Sequence, residues 1–301
     1  MYRYLHLDVF TDTPFQGNQL AVYPQPAGLS TEMMQTIAQE MNFSETTFVW
    51  PREATGDVRM RIFTPGDELP MAGHPTIGTT FALASEGVIA KGRDEFVFEL
   101  GVGPTPVSLE WDDNGLRFAW MTQGKPSFGA TIAAPDRFAA AIGVEPRDVA
   151  PDAPPQIVSC GVPFLFVPLV SRAAVDKVTI DRRALANIFT ASGVEEHAVF
   201  FFTTERTRDA GEETVYSRML APGFGIAEDP ATGGASGPLG CYCLQHRIVS
   251  AETARDMLSL QGVAMRRPSR VYISIDSDNG TIRRVRVGGK AVLVGSGQLA
   301  V

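Results

Sequence analysis

Three titratable residues stand where this chain could do proton chemistry: Glu45, His74 and Asp229. His74 lies in Pro70-Met71-Ala72-Gly73-His74-Pro75-Thr76-Ile77-Gly78, a stretch that reads as a loop turning into a helix. Pro75 suits a first helical position, where its missing N–H has no partner to lose. Gly73 lets the backbone come close to whatever lies opposite. The first turn of such a helix carries unpaired amides and a partial positive charge, which together make an anion site. A histidine at that mouth sits where the helix dipole disfavours its protonated form. His74 is read either as a helix cap or as a site residue. Asp229 precedes Pro230 at a second small-residue loop, Asp229 to Pro238, which opens another apolar segment. The dipole favours a carboxylate there, again as a plain cap or as a working group. Glu45 falls between a helical and a strand pattern. It is a solvated loop carboxylate, or a general acid/base whose pKa is raised by a closed apolar site.

Other chemistries fit poorly. The loop Gly233-Gly234-Ala235-Ser236-Gly237 lacks the lysine of a phosphate-binding G-x-x-x-x-G-K-[ST] loop, and no G-x-G-x-x-G follows a strand. No His, Cys, Asp or Glu cluster has metal-ligand spacing, so no metal is expected. Ser236 has no obvious partner base. Cys160, Cys241 and Cys243 are too few for a disulfide framework, and Cys241-Tyr242-Cys243 reads as small buried residues of a helix.

The elements that must position these residues come in two matched sets. Arg61-Ile62-Phe63-Thr64-Pro65-Gly66 precedes the first helix mouth, and Arg218-Met219-Leu220-Ala221-Pro222-Gly223 precedes the second. The offset, 218 − 61 = 157, is about half of the 301 residues and suggests a duplicated domain. Strands are predicted at Tyr4–Phe10, Leu20–Tyr23, Thr46–Trp50 and Val58–Thr64, with a Ser30-capped helix over Thr31–Met41. The His74 helix runs to about Glu86, and strands follow near Phe96–Leu100, Thr105–Glu110 and Leu116–Met121. Gln123–Phe128 reads as the linker. The second half predicts helices near Pro135–Ile142 and Arg182–Phe189, and one from the Gly-rich loop to about His246. Its strands are placed at Gln156–Ser159, Phe164–Pro168, Ala198–Thr204, Thr214–Leu220, Arg270–Ile275, Thr281–Val287 and Ala291–Val294. Many short strands around one apolar helix per half indicate α+β. The expected domains are 1–122 and 123–288, with a return of the C-terminal strand 289–301 to the first domain left open.

A hydrophobic fraction of 44% and a charged fraction of 20% are those of a soluble globular chain. The net charge of −8 argues against nucleic acid or an anionic membrane as partner. No apolar run is long enough to span a bilayer, and Asp8 interrupts any signal-peptide core, so a cytoplasmic location is expected.

Five motifs in order resemble the phenazine-biosynthesis PhzF-like isomerase family. They are Leu7-Asp8-Val9-Phe10-Thr11-Asp12 with Pro14-Phe15-Gln16-Gly17-Asn18, Met41-Asn42-Phe43-Ser44-Glu45-Thr46, Phe63-Thr64-Pro65 with Glu68-Leu69-Pro70, Ala72 to Gly78, and Glu228-Asp229-Pro230-Ala231-Thr232-Gly233. The resemblance covers the whole chain. It implies the diaminopimelate-epimerase fold: two pseudo-symmetric domains, each a curved mixed sheet wrapped around a central helix, with the helix mouths facing a cleft. It implies cofactor-free proton transfer by Glu45, assisted by His74 and Asp229, on a small carboxylate-bearing substrate such as trans-2,3-dihydro-3-hydroxyanthranilate. Gly73, Thr76, Gly233, Gly234 and Ser236 are the expected substrate-binding positions, and a homodimer is expected by family habit. The family often has serine where this chain has Gly234, and Ser236 is the candidate to replace that hydroxyl. Thiol-based racemases of this fold carry a cysteine at each helix mouth, and this chain has none there. A thiol-independent racemase or epimerase of amino acids, or a non-catalytic small-molecule binder, is the alternative.

Overall fold

Alternating apolar residues build the strands, and two helices that are apolar all round must be buried inside them. The computed structural model describes residues 1–132, 135–206 and 211–301. Contacts divide the chain into two units, residues 1–122 with 286–301, and residues 123–285.

In the first unit the order is β1 (Tyr2–Val9), β2 (Asn18–Tyr23), α1 (Thr31–Met41), β3 (Glu45–Pro51), β4 (Val58–Phe63), β5 (Glu68–Leu69), α2 (Gly73–Ser85), β6 (Glu95–Leu100), β7 (Gly103–Asp112) and β8 (Gly115–Gln123). Pairing runs β1–β2 antiparallel, β2–β3 parallel, β3–β4 antiparallel, β4–β6 parallel, and β6–β7 and β7–β8 antiparallel. Each parallel step is bridged by a helix, α1 then α2, as parallel connections require. One sheet face carries Ala21, Tyr23, Phe48 and Phe63 against Met34, Ile37 and Ala38 of α1. The other face meets α2, where Thr79 Oγ1 lies 2.9 Å from Thr47 Oγ1 of β3.

The second unit contains β9 (Ser127–Thr131), α3 (Pro135–Ala141), β10 (Gln156–Ser159), β11 (Pro163–Pro168), α4 (Arg172–Lys177), α5 (Arg182–Ala191), β12 (Ala198–Thr203), β13 (Val215–Ala221), β14 (Ile226–Asp229), α6 (Gly233–Gln245), β15 (Met257–Gln261) and β16 (Ser269–Asp278). β17 (Thr281–Gly289) leads back to the first unit, where β18 (Ala291–Leu299) pairs antiparallel with β1. The pairing pattern repeats: β10–β11 antiparallel, β11–β12 parallel, β12–β13 antiparallel, β13–β15 parallel and β15–β16 antiparallel. Phe166, Phe200, Met219 and Ile273 pack with Leu239 and Tyr242 of α6. Leu165, Val199 and Phe201 face Val175 of α4 and Leu185 and Phe189 of α5. The two echoing arginines occupy equivalent strands and make equivalent ion pairs, Arg61 with Glu68 and Arg218 with Glu228.

The mixed-sheet α+β class matches the expectation. The structure corrects several details. Pro75 is the third residue of α2, which begins at Gly73; a third-position proline still lies among the first four amides, which lack intrahelical acceptors. Pro238 lies inside α6 rather than at its start. Half of the segment read as a linker is strand, since Gln123 ends β8 and β9 starts at Ser127. Helix α4 and strands β5, β9, β14 and β15 were not expected.

Candidate active site

The buried helices α2 and α6 differ from α1, α4 and α5 at their mouths. Ser30, Ser171 and Asp181 each cap the helix they precede through a side-chain oxygen. Ala72 and Thr232, the cap residues of α2 and α6, make no side-chain cap bond. Neither anion-attracting mouth is closed by its own cap.

At the α2 mouth His74 is the second helical residue and is 3% exposed. Its Nε2 lies 3.2 Å from Glu45 Oε2, and its Nδ1 lies 3.3 Å from the side-chain nitrogen of Asn18. The sheet dictates this meeting. Leu20 of β2 stands opposite Glu45 of β3, and Asn18 is two residues before Leu20, so all three share the face that meets α2. Asn42, in the left-handed conformation, ends α1 and releases the chain into β3 at Glu45. Gly17 (φ +68°) lets the chain turn into β2, because a Cβ there would meet the Val9 carbonyl oxygen at 2.3 Å. Burial pushes the His74 imidazole down to about 3, against an opposing backbone hydrogen bond with Gln19. His74 is therefore neutral at ordinary pH, and a neutral ring can donate from one nitrogen while accepting at the other. This geometry places a partly buried carboxylate 3.2 Å from a neutral imidazole, an arrangement that can take up and return a proton.

At the α6 mouth Asp229 ends β14 and is buried. Its Oδ2 accepts a 2.6 Å bond from the Thr232 hydroxyl. Gln261 clamps the loop: its Nε2 donates to the Asp229 carbonyl (2.8 Å) and to Thr232 Oγ1 (3.0 Å), and its Oε1 accepts from the Thr232 amide (3.0 Å). Gly262 (φ +76°) permits the approach, because a Cβ would meet the Pro230 carbonyl oxygen at 2.6 Å. The cap position falls to Thr232 rather than to Asp229. Gln123 Nε2 donates to the Gly233 carbonyl at 2.9 Å. Pro238 has no N–H, so the carbonyl of Gly234 lacks its usual i+4 donor.

The remaining expected residues take these places. Gly73 and Gly233 open their helices. Thr76 donates its hydroxyl to the Ala72 carbonyl (2.7 Å), and Ser236 donates to the Thr232 carbonyl (2.9 Å). Each thus spends its only hydroxyl hydrogen within its own helix mouth. Gly234 has room beside it: the nearest atom to an added Cβ is Phe164 Cζ at 3.9 Å. The structure brings together Glu45 and His74, and in the other unit Asp229 and the Gly233 mouth. Asn18, Gln123 and Gln261 were not assigned roles from the sequence. As neutral amides they carry no titration signature, and only Asn18 fell within a recognised motif.

Cys241 and Cys243 are buried, and their thiols are held protonated; Cys160 Sγ, 4.0 Å from Cys241 Sγ, reinforces this for Cys241. No group of three or more His, Cys, Asp or Glu among the described residues is disposed to hold a metal. An open groove in the first unit, lined by Arg59, Arg61, Glu68 and Glu99, contains none of the site residues. No helix among the described residues is long and apolar enough to cross a membrane.

Comparison with known proteins shows the family. The family model for phenazine biosynthesis-like protein matches residues 7–297. The chain is 35% identical to trans-2,3-dihydro-3-hydroxyanthranilate isomerase of Pseudomonas aeruginosa over 298 residues, covering 99% of each chain. A phenazine biosynthesis protein of the PhzF family from Bacillus anthracis superposes with a TM-score of 0.87 at 26% identity, covering 100% of this chain and 99% of that one. A predicted epimerase of Pseudomonas aeruginosa superposes with a TM-score of 0.82 at 28% identity, covering 100% of both. With matches of this length and identity, the chain belongs to the phenazine biosynthesis-like family and is an isomerase.

Proposed function

We propose that this isomerase moves a proton between two carbons of a small, carboxylate-bearing cyclic substrate, with Glu45 as the single acid/base and no cofactor. Trans-2,3-dihydro-3-hydroxyanthranilate, the substrate in the name of the Pseudomonas aeruginosa relative, is the compound to test first. The observation that carries the reading is the 3.2 Å approach of Glu45 Oε2 to Nε2 of a buried, neutral His74. The Glu45 carboxylate takes a proton from one ring carbon, and the electron pair spreads through the conjugated system. The resulting carboxylic acid returns the proton to another carbon. One base serves both carbons when they present the same ring face. The His74 ring, 3.2 Å away, favours the carboxylate in its ionised form when its N–H dipole is turned to it. The uncapped α2 mouth at Gly73 suits the substrate carboxylate or a developing negative charge. Asp229, with Gly233 and Gly234 at the α6 mouth, is proposed to supply the remaining polar contacts. Thr76 and Ser236 shape the two mouths from within.

The test is proton NMR in heavy water with that compound. Wild type should place deuterium at a substrate carbon, and Glu45→Gln should lower the rate by about 10²–10⁴-fold while binding persists. Normal turnover by Glu45→Gln would remove the mechanism. Binding shifts without exchange in wild type would favour a binding protein or another substrate.

A further inference from the structure

The ring of His74 has two nitrogens and, being neutral, one proton to place between them. Nε2 lies 3.2 Å from Glu45 Oε2, in contact with it but off the line of a hydrogen bond. An ionised carboxylate only accepts hydrogen bonds, so the useful arrangement puts the proton on Nε2. Nδ1 must then accept. Around the ring lie two competing groups: the side-chain nitrogen of Asn18, 3.3 Å from Nδ1, and the backbone of Gln19, which hydrogen-bonds the ring. Asn18 donates and stabilises the Nε2–H form. The Gln19 backbone favours a protonated ring, whereas the Asn18 contact, made at Nδ1, separates the two neutral forms. Asn18 is 1% exposed, on the first residue of β2, and its neighbour Gly17 fixes the turn that aims it.

The geometry points to Asn18 as a positioning residue: its side-chain amide sets the tautomer of His74, so that an N–H and not a lone pair is presented to Glu45. This inference rests on the proposed role of Glu45 for its effect on turnover, and stands independently of it for the tautomer itself. A residue that only filled space beside the ring would leave the proton distribution unchanged. Neutral imidazole reports that distribution directly, because a protonated ring nitrogen and a bare one differ widely in ¹⁵N chemical shift.

The experiment uses the full-length protein labelled with ¹⁵N-histidine, with the His74 signals assigned by their loss in His74→Gln. Wild type should show a bare Nδ1 and a protonated Nε2. Asn18→Asp, of nearly the same shape, replaces the donor with an acceptor and should exchange the two signals. Asn18→Leu should give a mixture or the exchanged form. In parallel, both variants should lower kcat for trans-2,3-dihydro-3-hydroxyanthranilate by tenfold or more, with KM changed less than threefold. A wild-type ring protonated at Nδ1, or a tautomer unmoved in both Asn18 variants, overturns the proposal. An exchanged tautomer with full kcat overturns its catalytic part. Absence of turnover in wild type counts against the proposed reaction alone, since the nitrogen shifts still decide what Asn18 does.

Discussion

At the scale of the residue, His74 is kept neutral by burial, and that has a stability signature. The imidazole is held down to about 3, whereas the unfolded side chain titrates near its ordinary value of 6.5. Below that ordinary value the unfolded chain binds a proton that the native chain refuses. Stability therefore falls as pH drops from about 6.5 towards 3, by at most ~1.4 kcal/mol per pH unit from this group. His197 and His246 are also lowered by burial and add to the same acid limb. Removing His74 should take about one proton from the slope and leave their share. Urea unfolding of wild type and His74→Gln at pH 7, 6 and 5 checks this; equal slopes would mean the ring is protonated in the fold. Glu45 and Asp229 enter the candidate site through the motifs that resemble the family, and His74 also through its place between Gly and Pro at a helix mouth. Their amide partners were not legible in the sequence, because Asn18 meets His74 across 56 residues, and Gln261 meets Thr232 across 29. Nothing near either amide announces its partner.

At the scale of the element, α2 and α6 are apolar all round and lack caps, so packing against the sheets holds them in place. Their glycines are contact points. A Cβ at Gly78 would lie 2.5 Å from Leu20 Cδ2 and 2.6 Å from Val9 Cγ2; one at Gly240 would lie 2.7 Å from Ile273 Cγ2 and 2.8 Å from Ile275 Cγ1. Gly78→Ala and Gly240→Ala should each destabilise by about 1–2 kcal/mol, after the gain in helix propensity is set against overpacking. Gly234→Ser enters open space beside Phe164 and should change stability by less than about 0.5 kcal/mol. Thermal unfolding of the three variants separates the cases, and a costly Gly234→Ser would show that the mouth is tighter than it looks. These two helices were readable because small residues followed by a long apolar run leave little alternative. The bounds of α1 were readable from its Ser30 cap and the helical spacing that follows, up to Met41. Strands β9, β14 and β15, of four or five residues, are too short to display a period. Helix α4 has six residues and takes its end from outside, where Arg218 Nη1 donates to the carbonyls of Val175, Asp176 and Val178.

At the scale of the whole molecule, the duplication suggested by the two arginine motifs is a repeated order of strand pairing within each unit. What the motif offset could not convey is that the first unit is discontinuous. Strand β18 pairs with β1 from Tyr2↔Leu299 to Val9↔Ala291, and Lys290 reaches back to Asp12 at 2.9 Å. Deleting residues 291–301 should therefore damage the beginning of the chain. Amide exchange would quicken in β1 and β2, while β11–β13 of the second unit stay protected. Equal loss of protection in both would mean that the units do not unfold separately. The same closure sets an order for synthesis. A ribosome adding ~5–20 residues per second needs roughly ten to thirty seconds to pass from residue 122 to residue 291. Through that interval β1 has β2 on one side and an open edge on the other, the kind of edge that invites a foreign strand. The half of the protein made first is finished last, and the cell must shelter it while the half made second folds.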